Sequence, residues 1–593
     1  MRFLNRDDAF REASAFSRRD FVRLCAAIAA CPPDHRAVRW QAATAGLAPS
    51  GIAEISPGKL TDVNTTSLRA GVELGCQALG HLFNPNDPQG APYFWMNLRP
   101  VTFMAFSDLF SDAQVPGKSL LGLLTAQKLV GVSVDPSVVE RYARVAFFSY
   151  GGPVALPLNR HAVGGRLVNF GPVNVAHGFH ALYALATYSR SDRAQALFEK
   201  SIGAVSDLWN QKTGWDRHQI EGVLGLKYRD VQPDAPFIAG LAMAIGPLAK
   251  YYQATGSRTA LDLATTLKEH ALAEYFPASG EYDPARLGAH VQNVVYVMAS
   301  LAWLATATRD ESLMTRVKAF YDNGLKKLRN SIGWAPEYVG SPAHVAGPRG
   351  TNADRGEAGN TALIVETALL LGAWGHPEAF ADAEFILRSH VLPTQVRDVS
   401  FIVPPGSRPG GHDPSDVAGR VRGTWGFPAP YGHLPVGDNT IGVGTDIVGP
   451  VVYALAEAHS RIVGRVDDHL AVQLFFDYKN NEVEVMSSYT TDALIVKVRT
   501  AERVMVRIPP WVDARRVELM GIPRESVAFV GDYVRLSHGA AADGHFAVRF
   551  PLTSRHVDLS FGGRTIRARA RGDQIVAMDS RSMECRFFDP YSP

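Results

Sequence analysis

Imidazoles and carboxylates stand at the heads of a series of apolar helical stretches: His177 and His180, Asp230 and Asp234, His290, Glu357 and Asp446. These side chains exchange protons readily, so gathered in one place they can act as general acids and bases. A helix start adds unpaired N–H groups and a positive dipole end, both suited to anionic side chains or sugar oxygens. Each acid taken alone reads as readily as a helix cap. The recurrence of polar loops ahead of such stretches is what favours a shared binding mouth. Trp95, Trp215, Trp334 and Trp425 lie near the same loops and could stack on sugar faces, or fill the core as large aromatics usually do.

Those groups meet only if the helices bring their starts together. Similar breaks recur at 186–192, 252–257, 305–310 and 371–376, each following an apolar stretch and preceding an amphipathic one, so each reads as the turn of a helical hairpin. The stretches 237–251, 291–305 and 361–371 are apolar on most faces and must be buried all round. The stretches 260–270 and 313–325 space their apolar residues three and four apart, with charges between, and keep a wet face. An inner ring wrapped by an outer ring satisfies both, an (α/α) toroid whose parallel inner helices deliver their leading loops to one end. An open helical solenoid is the competing arrangement. After about Asp467 the period changes to two, with short strands expected over 471–478, 493–498, 504–508, 533–536 and 546–550. The expected plan is an α+β multidomain chain. A leader or N-terminal helix occupies 1–40, the toroid 41–465, and an antiparallel β-sandwich that braces it 466–593.

Bulk properties exclude several classes. A net charge of +2 over 593 residues, with 20% charged residues, gives no electrostatic reason to expect nucleic acid or an anionic membrane as partner. No stretch is expected to cross a bilayer. Cys25, Cys31, Cys76 and Cys585 show neither metal-site spacing nor a disulfide framework, so no metal and no cofactor is expected. At the N-terminus SRRDFVR (17–23) resembles a twin-arginine export signal, and IAAC (28–31) a lipoprotein cleavage box. The apolar run between them is short and ends at Pro32, so an amphipathic helix is the alternative to an exported, periplasmic or lipid-anchored protein.

From about Asn174 to Val576 the residues resemble glycoside hydrolase family 127, the β-L-arabinofuranosidase group. GAHVQNVVY (288–296) is similar to the family segment carrying a substrate-contacting histidine, here His290. GWAPE (333–337) places Glu337 where the family has its acid/base glutamate, and NADRGEAGN (352–360) resembles the segment with a metal-binding glutamate, here Glu357. VRIPPWV (506–512) and RGDQIV (571–576) match family punctuation in the sheet region. Resemblance implies an oligo- or polysaccharide substrate and pairing into homodimers. It also implies a cysteine nucleophile in a zinc site of three cysteines and the glutamate. Here the pattern breaks: Gly359 stands where a cysteine belongs, and Gly444-Thr445-Asp446 lies near the adjacent cysteine pair. One carboxylate cannot build a tetrahedral zinc site.

Two carboxylates can still hydrolyse a glycosidic bond, one protonating the leaving oxygen while the other attacks the sugar or activates water. The expected assignment is Glu337 as acid with Asp446 or Glu357 as nucleophile or base, and His290, His177, His180, Asp234 and Trp425 contacting a sugar at the non-reducing end. A polysaccharide lyase is the second class, with His177, His180, His290 or Tyr431 as base and Arg355 or Arg422 clamping a uronate carboxylate. A non-catalytic glycan-binding protein is the third.

Overall fold

The computed structural model describes residues 58–59, 62–99, 102–230, 235–339, 356–402, 416–425, 441–491, 493–499, 503–536, 544–559, 565–579, 585–586 and 588–592. The 1–40 leader, Asp234, Arg355 and Tyr431 lie outside these residues.

Twelve long helices among the described residues make up the N-terminal part. We label them α1 (Leu68–Gly80), α2 (Gln114–Val130), α3 (Pro136–Ser149), α4 (Val173–Tyr188), α5 (Asp192–Leu208) and α6 (Ile245–Thr255). There follow α7 (Arg258–Glu274), α8 (Val291–Thr308), α9 (Glu311–Asn323), α10 (Ala358–Ala373), α11 (Pro377–Ile386) and α12 (Thr445–Ser460). Helices α2, α4, α6, α8, α10 and α12 pack in that order, and α12 returns to α2, so six inner helices form a closed cycle. Each packs against one outer helix: α3, α5, α7, α9 and α11 follow their partners, while α1 covers α12.

Burial follows the sequence pattern. Outer α7 buries Ala260, Leu263, Ala264, Leu267 and Ala271, a single stripe. Inner α8 buries every residue from Val291 to Leu304 except Trp303, and each fully buried valine or leucine contributes about 1.5–3 kcal/mol. Its 18 residues are long and apolar enough to cross a bilayer, but 78% of it is buried, as in the core helix of a packed protein.

Two glycine contacts set the position of the site. A Cβ at Gly449 would lie 2.3 Å from the Lys118 carbonyl oxygen, and one at Gly122 would lie 2.5 Å from that of Gly449, so α2 and α12 touch backbone to backbone. A Cβ at Gly117 would lie 2.0 Å from the His177 oxygen, which seats α4 equally close to the other side of α2.

The sheet region begins at Val463. Its strands are β1 (Val463–Val466), β2 (His469–Val472), β3 (Tyr478–Lys479), β4 (Val483–Met486), β5 (Leu494–Val498), β6 (Arg503–Arg507) and β7 (Glu518–Met520). Then come β8 (Val527–Val530), β9 (Tyr533–Leu536), β10 (His545–Arg549), β11 (Ser554–Asp558), β12 (Arg567–Arg571), β13 (Gln574–Met578) and β14 (Asp589–Pro590). Two five-stranded sheets, β1-β2-β6-β9-β8 and β3-β4-β5-β10-β7, enclose one apolar cluster that includes Val472, Phe475, Leu494, Val496, Val506 and Val548. The first is mixed, because β2 and β6 pair in parallel, which corrects the expectation of a wholly antiparallel unit. The last sheet, β11-β12-β13-β14, belongs elsewhere: Ala568, Ala570, Ile575 and Met578 join the hydrophobic core of the helical ring.

Candidate functional site

The inner helices start without help from their own caps. None of the N-cap residues Ala113, Pro172, Ala244, His290, Glu357 and Gly444 makes a side-chain capping bond. The cap reading of Glu357 therefore fails: it occupies the N-cap position, as His290 does on α8, but neither side chain makes a capping bond. Asp446 is no cap either, since Gly444 holds that position and Asp446 lies in the first turn.

Between α8 and α10 runs a strut, residues 334–339, that ties two helix starts together. The Val291 N–H donates to the Glu337 carbonyl at 3.0 Å and Val339 N–H to that of Ala289 at 2.9 Å, so His290 pairs with Tyr338. On the other side Pro336 pairs with Gly356, and the Glu357 N–H donates to the Ala335 carbonyl at 2.9 Å. Asn360 Nδ2 donates to the Pro336 carbonyl at 2.9 Å, and Thr361 Oγ1 to that of Gly333 at 2.7 Å. Glu357 thus sits opposite Ala335, and Glu337 is two residues further along. Such diagonal neighbours project from the same face, about 7–8 Å apart at Cα. Both side chains are buried, as is His290.

Gly359 lies in the same recess. A Cβ there would stand 3.4 Å from Glu357 Oε1, 3.2 Å from Gln292 Nε2 and 3.8 Å from Ile447 Cγ1, so α8, α10 and α12 converge on it. A thiol at this point would reach Glu357, but glycine supplies no ligand. Among the described residues no three His, Cys, Asp or Glu side chains gather as a metal site, so the donor set does not fit a zinc. Cys76 stands on outer helix α1, with burial and then Glu73 pushing its thiol up to about 12.

Asp446 forms the third side. Its Oδ2 accepts from Lys118 Nζ at 2.9 Å and from Gln114 Nε2 at 3.3 Å, both on α2, and the ion pair is nearly solvent-free. The Gly449 contact with the Lys118 carbonyl is what allows this pair to form. Deeper on the axis lie His177 and His180. Burial, followed by Lys118 and His180 for His177 and by Lys250 and Lys118 for His180, holds both imidazoles well below their usual range. His180 Nδ1 is 2.9 Å from the Tyr296 hydroxyl. Below them Lys250 pairs with Glu366 at 3.1 Å and lies over the Trp303 and Tyr453 rings. A cavity of about 20 Å³ between these side chains, lined by Lys118, His180, Lys250, Tyr296 and Glu366, has room for a water.

Of the residues expected from the sequence, His290, Glu337 and Glu357 come together along the strut, Asp446 lies in the first turn of α12, and His177 and His180 lie on α4. Trp425 does not belong. It is fully buried, donates its indole N–H to the Val391 carbonyl at 2.8 Å and packs on Gly75 of α1, because the wall between α1 and α12 needs a large apolar filler there. Trp334 is likewise core, whereas Trp95, half-buried opposite Gly444, and Trp215, edge-on to Phe170 at 4.9 Å, border the loops that feed the inner helices. Arg422, the lyase clamp, is drawn to Asp62, 3.9 Å away on the outer surface. Lys118, Gln114 and Gln292 were missed. Lys118, inside the stretch 114–126 of α2 that is buried throughout, was the available signal, since an unpaired ammonium would not be buried.

No protein-family model and no curated protein sequence matches the chain. Among solved structures it is similar to a GH127 β-L-arabinofuranosidase from Geobacillus stearothermophilus T6, with 16% identity and a TM-score of 0.50 over 86% of this chain and 80% of that one. It is also similar to another GH127 β-arabinofuranosidase, with 15% identity and a TM-score of 0.52 over 88% of this chain and 84% of that one. At these identities the likeness is one of fold.

Proposed function

We propose that the helical ring is the (α/α) toroid of a six-hairpin glycosidase, and that the protein hydrolyses a sugar from the non-reducing end of a glycan. What supports this reading is the strut 334–339, whose backbone pairs with both helix starts and so brings the buried Glu337 and Glu357 close in space. Glu337 acts as the acid that protonates the leaving oxygen, and Glu357 as the second carboxylate, attacking the sugar or activating water. Asp446, held by Lys118 and Gln114, forms a third side and accepts hydrogen bonds from sugar hydroxyls. His290, beside the strut, and the neutral His177 and His180 line the wall. The fold shared with two arabinofuranosidases supports a small sugar as the group released. Without the thiolate and zinc that the resemblance implies, the reaction runs on carboxylates alone.

The lyase alternative is the weaker reading. Burial holds the candidate bases His177 and His180 well below their usual range, which weakens them as proton acceptors, and the candidate clamp Arg422 lies beside Asp62. A screen of aryl glycosides, arabinofuranosides included, with wild type and Glu337→Gln tests the proposal. Turnover by wild type that falls at least ~10²-fold in the variant supports it. An ultraviolet-absorbing unsaturated product from a uronate polysaccharide, or turnover untouched by Glu337→Gln, overturns it. We further propose that the arginine pair at 18–19 directs export, which cell fractionation of Arg18→Lys/Arg19→Lys reads directly.

A further inference from the structure

The two motifs of the sheet region, VRIPPWV and RGDQIV, take no part in the mouth, yet they meet each other. Trp511 Nε1 donates to Asp573 Oδ1 at 2.8 Å, and Asp573 Oδ2 has no partner among the described residues although the side chain is buried. The Asp573 N–H donates to the Tyr489 hydroxyl at 2.6 Å. Its carbonyl accepts from Ser389 Oγ at 3.0 Å, and Ile575 N–H donates to the same Ser389 Oγ at 3.2 Å. The turn between β12 and β13 is therefore clasped to the helical extension that follows α11.

The charged neighbours make their hydrogen bonds to other groups. Glu384 of α11 accepts from Arg388 Nε at 3.0 Å, from Arg507 Nη2 of β6 at 2.7 Å and from the Phe475 N–H at 3.2 Å. Arg388 is further held between the Phe476 and Tyr489 rings. Arg555 of β11 comes only to 3.9 Å from Asp573 Oδ1, lying over the Phe385 ring. Asp573 is left as a carboxyl with one indole donor, in a water-poor junction where an anion is costly.

From Ser389 the contacts run on to the mouth. The next residue, His390, has Nδ1 3.2 Å from Thr361 Oγ1, and that hydroxyl donates to the Gly333 carbonyl at 2.7 Å. Gly333 heads the strut that carries Glu337. We propose that the buried Asp573 turn is a proton-gated clamp on this strut: it grips Ser389 and, through His390 and Thr361, positions the Gly333 carbonyl. Asp573 is thus a positioning residue. Its consequence for turnover rests on the reading of Glu337 given above, whereas the clamp itself does not.

The direction of the gating follows from the environment. Burial, then the charge of Glu384, push Asp573 up to about 7, against the opposing pull of Arg507, Trp511 and Arg388. The closed turn keeps a proton that the open turn gives up, so closure is firm at low pH, weakens by up to tenfold per unit as pH rises toward 7, and levels off above.

Amide hydrogen exchange on the full chain from pH 5.5 to 8.5, corrected for intrinsic rates, tests this through peptides 571–578 and 333–339. Wild type is expected to lose at least tenfold protection in both as pH rises. Asp573→Asn, which keeps the shape without the titration, is expected to remain protected and flat. Ser389→Ala is expected to keep the pH response in 571–578 and abolish it in 333–339. A flat wild-type profile, a slope that survives in Asp573→Asn, or a 333–339 response that survives in Ser389→Ala overturns the clamp. Loss of the alkaline fall in kcat for Asp573→Asn, with KM unchanged, ties the clamp to catalysis. A chain that turns over no glycoside but passes the exchange test sinks the hydrolytic reading and leaves the clamp standing.

Discussion

Outer and inner helices of the ring begin by different rules. Five of the six outer helices carry a capping side chain, Ser67, Asp135, Ser191, Ser257 and Asp310, each accepting a backbone N–H of the first turn. The six inner helices carry none. An outer helix ends in solvent and closes its first turn with its own sequence. An inner helix starts on a residue that makes no such bond: Ala113, Pro172, Ala244 and Gly444 have no side chain able to accept one, and those of His290 and Glu357 do not. Helix starts in the ring therefore divide into capped outer ones and uncapped inner ones.

Substitutions can break or sharpen that division. The largest effect is expected at an inner start: Glu357→Gln should lower glycosidase turnover by ~10²–10⁴-fold. Since Glu357 caps nothing, the melting temperature should move little. A large loss of stability with turnover intact would return Glu357 to the caps. One turn into the ring, Lys118→Met should strand Asp446 as a buried unpaired charge and cost about 3–5 kcal/mol in denaturant unfolding, much of it recovered in Lys118→Met/Asp446→Leu. Equal destabilisation of single and double variants would refute the pairing.

A pH series tests the two buried imidazoles. His177 and His180 are held neutral in the fold and take up protons once unfolded, so stability is present above their unfolded value of about 6.5 and is lost as pH falls below it. The slope is at most about 1.4 kcal/mol per pH unit for each imidazole. His180→Gln should flatten it, and an unchanged acid limb would show that the axis does not titrate. The smallest effect belongs to an outer start: Ser257→Ala should cost about 1 kcal/mol, read by thermal melting, and leave turnover alone. A fall in turnover there would erase the distinction between the two rings.

Much of the fold could be read directly because its signals are local. The hairpin breaks at 252–257 and 305–310 fall on the caps Ser257 and Asp310, and the stripe of α7 matches its expected wet face. Helix starts came out within a few residues: the stretch expected at 361–371 is α10, Ala358–Ala373, because its uncapped first turn has no local marker. The mixed pairing of β2 with β6 was not legible, since strand order depends on which distant segment completes the sheet. Trp425 was misread for a related reason: a tryptophan beside polar loops looks the same in sequence whether it faces a ligand or α1.

The alternation of apolar and polar residues determined by itself that this chain is a set of helical hairpins followed by sheets, and which face of each outer helix is wet, because burial of a periodic stripe needs only near neighbours. Only the tertiary structure decided that Lys118 meets Asp446 across a glycine contact, that one strut binds two helix starts, and that the two sheet motifs meet at Asp573. Those arrangements join residues tens to hundreds of positions apart, and their energies come from charges and hydrogen bonds that exist only once water has been excluded around them.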